Sequence, residues 1–89
     1  MLKPMPVSNA KAGVEFLRTE FETTSVFAKI AADAADPDKR LRNIQNARKG
    51  YDTLVHFVQT LHLSSGERRE MQTKISELRR KLISLGERV

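Results

Sequence analysis

The chain has 89 residues, 39% hydrophobic and 30% charged, with no cysteine and a formal net charge of +5. That length suits one domain around a single core, and the composition fits a globular chain better than a disordered one. The lack of cysteine excludes a disulfide framework, a thiolate nucleophile and a cysteine-built zinc site, and it fits a cytoplasmic location. No apolar run approaches the ~20 residues of a membrane span, and MLKPMPVSN lacks the apolar core of a secretory signal.

Residues 1–7 contain Pro4 and Pro6, which lack amide donors and restrict the residue before them, so a short extended tail is expected there. A bundle is expected over residues 8–89, its first helix over about 9–35 and capped by Ser8 or Asn9. Apolar or small residues recur at steps of three and four from Ala10 through Val14, Leu17, Phe21 and Thr24 to Ala28, Ala31 and Ala35. This is one buried helical stripe. It narrows from Phe and Leu to alanines, so neighbouring helices should approach most closely at its C-terminal end. Gly13 costs about 1 kcal/mol relative to alanine in a helix interior, which favours fraying of the first turns.

Asp36-Pro37-Asp38 is the best-defined boundary in the chain: a capping carboxylate, a proline suited to the first helical position and a second carboxylate at the positive end of the dipole. The helix that follows, over 37–62, carries Ile44, Ala47, Tyr51, Leu54, Val58 and Leu61 as its core stripe, widened by Leu41, Val55 and Phe57. Tyr51 should fill the centre of the bundle, with Gly50 beside it admitting a neighbour. Ser64 and Glu67 have capping-box spacing, with Ser65 as a competing cap. The third helix, over 65–86, buries Met71, Ile75, Leu78, Leu82 and Leu85 and runs toward Val89. Glu70–Lys74 and Glu77–Lys81 are spaced for ion pairs along it, and Gly86 marks its end. Short connections make neighbours antiparallel. The expected fold is therefore all-α, a single up-down-up three-helix bundle.

No residue pattern carries a specific chemistry. Asp52 and His56 stand one turn apart, a spacing used by acid–base pairs and metal sites, but both lie off the core stripe on the solvent side. Phosphate loops, HExxH and the serine elbow are absent, as is the Glu-x-x-His pairing of di-iron bundles. The reading is a non-enzyme with no catalytic residue, metal or cofactor.

Two surface features remain. Phe16, Val26, Phe27 and Ile30 lie off the core stripe of the first helix, as a candidate protein interface or, for Phe16 and Phe27, as the edges of a wide apolar arc. A symmetric dimer through that helix is the simplest closed arrangement. The positive charge concentrates on the second and third helices, where Arg42, Lys49, Arg69 and Arg80 form a candidate anion-binding set. A solvated basic face accounts for that excess too, and Glu70 and Glu77 interrupt it.

The run Asn46-Ala47-Arg48-Lys49-Gly50-Tyr51, followed by a second amphipathic helix, resembles the helical hairpins of tetratricopeptide and microtubule-interacting-and-trafficking domains. Those place a small residue and then an aromatic four positions on, as Ala47 and Tyr51 do here, although the chain has no 34-residue repeat. The resemblance implies a partner-binding role. The leading expectation is a small protein–protein interaction module (adaptor, subunit or homo-oligomer), with accessory nucleic-acid binding as the alternative and no membrane partner.

Overall fold

The computed structural model describes residues 6–89, with side chains from residue 11 onward. Three helices account for almost all of it: α1 (Pro6–Asp33), α2 (Pro37–Thr60) and α3 (Ser65–Ser84), with no strand among the described residues. Helix α1 begins at Pro6, so Pro6, Val7, Ser8 and Asn9 stand inside it and not before it; residues 1–5 of the expected tail lie outside the described residues.

Local chemistry sets the helix ends. The Asp36 carboxylate accepts from the Asp38 amide at 3.0 Å, with Pro37 opening α2. Because the residue before a proline is pushed out of helical geometry, Asp36 is extended (φ −76°, ψ 120°). Helix α1 therefore stops at Asp33, and Ala35 is exposed instead of closing the core stripe. Leu61 is likewise extended, so α2 ends at Thr60, two residues early. The Ser64–Glu67 capping box is reciprocal: the Ser64 amide donates to Glu67 Oε1 (2.8 Å) and the Glu67 amide to Ser64 Oγ (3.1 Å). At the end of α3, Gly86 has φ +97°. The Glu87 amide reaches the Leu82 carbonyl and the Gly86 amide that of Ile83, a Schellman ending that a Cβ at 86 would strain.

Arginines close the ends that the backbone leaves open. Arg40 of α2 donates to the Ala31 carbonyl of α1, and Arg68 of α3 to the Val58 carbonyl of α2, each at 3.0 Å. Both place a cation at a helix C-terminus, where orphan carbonyls and the dipole favour it.

Contacts between helices give the topology. Gly13 lies under Leu61, Thr24 meets Gly50 and Arg40 reaches Ala31, so α1 and α2 run antiparallel. Arg68 at Val58 and Arg48 at Glu87 make α2 and α3 antiparallel. Arg18 at Glu70 and Lys74 over the Phe21 ring make α1 and α3 parallel. This is the up-down-up bundle.

The core has two halves. One gathers Leu17, Leu54, Val58, Met71 and Leu78; the other gathers Ala28, Ala31, Ile44, Ala47, Leu82 and Leu85. Tyr51, half-buried, touches both. Between them in sequence stand Thr24 and Gly50. A Cβ at Gly50 would collide with Thr24 Oγ1 and lie 3.0 Å from its Cβ, so α1 and α2 approach through a missing side chain. Thr24 is 1% exposed, and its hydroxyl has no hydrogen-bond partner among the described residues. Leu41, expected to widen the core, is instead 55% exposed. The Arg88 carbonyl already lies at Arg48, so α3 has ended before the level of Leu41 and cannot cover it.

Candidate interaction face

The four apolar residues singled out on α1 divide by their contacts. Phe16, 42% exposed, stands edge-on to Phe57 of α2, with ring centroids 5.4 Å apart and planes at 80°. Phe27 is half-buried against the alanine-rich half of the core. Both serve as edges of the apolar arc of α1 on its α2 side. Val26 is 56% exposed, and Ile30 is half-buried. These two, with Ala34, floor an open hollow of about 350 Å³ whose rim is Lys29, Asp33 and, from α2, Lys39. A second hollow of about 270 Å³ opens between α1 and α3 over Ala28, Ala32 and Leu85. The Lys29–Asp33 pair (3.3 Å) forms the ridge between the two hollows.

The candidate cations are all exposed, and none of Arg42, Lys49, Arg69 and Arg80 makes an ion pair among the described residues. They do not form one patch. Arg42 and Lys49 are two turns apart on the outer side of α2, whereas Arg69 and Arg80 are three turns apart on the outer side of α3.

Other charges are engaged in holding the fold. Arg18 grips Glu70 through two bonds of 2.9 Å, a bidentate pair linking α1 to α3. The hydrogen bond from Arg18, and then its charge, hold the Glu70 carboxyl below the usual carboxylate range. Lys74 therefore does not pair with Glu70 as expected; its ammonium sits 4.4 Å from the centroid of the Phe21 ring. Glu77 and Lys81 do pair, at 3.5 Å. Arg48 joins Asp52 and Glu87, each at 3.3 Å.

That engagement separates Asp52 from His56. The Asp52 carboxylate turns to Arg48, and the His56 ring stands edge-on to Phe57 at 5.0 Å. The two side chains are not brought together. No cluster of three or more metal-binding side chains occurs among the described residues, and no described helix is long and apolar enough to cross a membrane.

Compared with protein families, curated proteins and solved structures, the chain matches none. The Ala47–Tyr51 likeness is then accounted for by packing: Ala47 is fully buried between helices, and Tyr51 joins the two core halves. Sequence reasoning missed Lys39 as part of a surface feature. The signal was present in the three-and-four spacing of Lys39, Arg42, Asn46 and Lys49.

Proposed function

We propose that the protein is a non-catalytic cytoplasmic module that works by protein–protein contact, as an adaptor, a subunit or a homo-oligomer, through the outer face of α1. The observation that carries this reading is the hollow floored by Val26 and Ile30, where apolar side chains lie open on a helix whose opposite side already supplies the core. Isolated exposed apolar residues are ordinary, whereas a lined concavity of this kind is what a partner side chain fills.

The test is affinity capture from the native source with the parent chain and with Val26→Glu, alongside light scattering of both. Val26 is exposed, so the substitution leaves the fold intact. A bound protein, or a dimer mass, present for the parent and lost for Val26→Glu supports the reading. Identical behaviour of the two chains contradicts it.

Accessory nucleic-acid binding is the second reading, favoured by the unpaired state of Arg42, Lys49, Arg69 and Arg80 among the described residues. If those cations contact phosphates, binding to duplex or single strands falls steeply between low and physiological salt and weakens on every sequence when they become glutamine. No binding at low salt removes it.

A further inference from the structure

The apolar row of α1 and the basic row of α2 form one surface. On α1, Phe16, Thr19, Thr23, Val26 and Ile30 follow one another at steps of three and four, all exposed except the half-buried Ile30. On α2, Lys39, Arg42, Asn46, Lys49, Thr53 and His56 do the same, all exposed except the half-buried Thr53. The seam between the helices is marked by Phe16 on Phe57 and by Thr24 on Gly50. That antiparallel register puts Ile30 level with Arg42, Thr23 with Lys49 and Thr19 with Thr53. Lys39 confirms the meeting of the rows directly, since it walls the hollow that Val26 and Ile30 floor.

The charged side chains along the α2 row are all cationic. Lys39, Arg42 and Lys49 make no ion pair among the described residues. The nearby carboxylates lie on α1 or at its junction with α2, where Asp36 caps the helix. Asp33 is held by Lys29 (3.3 Å), Asp38 sits in the first turn of α2 at the positive end of its dipole, and Glu20 is half-buried on the α1 side.

We propose that this α1–α2 face binds an acidic amphipathic helix of a partner protein, its apolar stripe on Val26 and Ile30 and its carboxylates along Lys39, Arg42 and Lys49. The inference rests on the interaction-module reading and adds the partner's chemistry. The row from Phe16 to Ile30 spans about 21 Å at 1.5 Å per residue, the length of four helical turns. Paired apolar and charged rows at helical spacing are what a helix laid in a groove requires. Strand addition has no edge to use, because no strand exists among the described residues. A phosphate backbone would engage the cations but leave Val26 and Ile30 without an apolar counterpart, which disfavours a nucleic acid on this face.

The experiment is selection from a displayed library of 20-residue helices, with leucine fixed along one stripe and every other position varied among Glu, Lys, Gln, Ser and Ala. The full chain is the bait, and the best peptide is then titrated by fluorescence anisotropy. The expected result is enrichment of Glu beside the leucine stripe. Binding should weaken at least tenfold with Lys39→Gln/Arg42→Gln/Lys49→Gln and again with Val26→Ser, but less than twofold with Arg69→Gln/Arg80→Gln on α3. Circular dichroism should be the same for all variants. No enrichment, enrichment without Glu, or equal loss from the α2 and α3 variants overturns the proposal. So does tighter binding of duplex DNA or phosphatidylserine vesicles that depends on the same α2 cations. If selection fails while partner capture remains sensitive to Val26→Glu, the acidic-helix partner falls and the interaction module stands; if both fail, both fall.

Discussion

Replacing Gly50 with alanine tests the closest approach in the fold. An ideal Cβ at position 50 collides with Thr24 Oγ1 and lies 3.0 Å and 3.1 Å from Thr24 Cβ and Cγ2. Rotating the threonine moves Oγ1 and Cγ2 but leaves its Cβ in place, so α1 and α2 must still separate by a few tenths of an ångström. Overpacking of this kind costs about 1–3 kcal/mol, and the better helix propensity of alanine returns about 1 kcal/mol. The expected net is a destabilisation of up to about 2 kcal/mol, with a lower melting temperature by roughly 4–8 °C per kcal/mol in a domain of this size. Thr24→Ala removes Oγ1 and Cγ2 but keeps the Cβ, so it should recover part of the loss in the Gly50→Ala background, a coupling of about 0.5 kcal/mol or more. Gly66→Ala is the control, because nothing lies within 4 Å of its Cβ position and α3 should gain stability. Urea unfolding of the four chains in the cycle and of the control gives these numbers. A Gly50→Ala chain more stable than the parent, or a cycle that adds without coupling, would refute the close crossing.

Three further outcomes follow from the packing and the charges. Leu54 and Leu78 are 1% and 0% exposed, so either changed to alanine should lose about 2–5 kcal/mol; unchanged unfolding midpoints would show that the core is elsewhere. Ser64→Ala removes the acceptor for the Glu67 amide and should cost about 0.5–2 kcal/mol in urea unfolding, against little change for Ser65→Ala. The Glu70 carboxyl, held low by Arg18, contributes stability above the usual carboxylate range, and that contribution is lost as the pH falls through it. The melting temperature of Glu70→Gln should therefore lie below the parent's at neutral pH and converge with it in acid; a gap that does not change with pH would contradict the pairing.

Short-range chemistry was legible in the sequence. Asp36-Pro37 and Ser64–Glu67 act over a few residues and do in the structure what their spacing implied. The stripes were legible too, because burial follows the helical period at Leu17, Leu54, Leu78 and Leu82. Errors arose where a second helix decides the outcome. Glu70 had Lys74 one turn away on its own helix, but the planar guanidinium of Arg18 offers two parallel bonds from α1 and takes it. Leu41 fits the pattern of a core residue, and only the early end of α3 leaves it exposed. Helix ends slipped by about two residues because Ala34, Ala35 and Leu61 have nothing against helical geometry in themselves; the turn that follows pulls them out of it. On the surface, the apolar and basic rows were each visible along one helix. Their meeting required the register between α1 and α2, which Thr24–Gly50 and Phe16–Phe57 supply.

An interaction module is defined by which face of the bundle touches another molecule. Photo-crosslinking in the native cell measures this directly, with a photoreactive residue placed singly at Val26, Arg42, Arg69 or Arg80, all exposed positions. Crosslinks from Val26 and Arg42 to the same protein, and none from Arg69 or Arg80, are the predicted result. Crosslinks confined to Arg69 and Arg80, or to nucleic acid from any of the four, would contradict it.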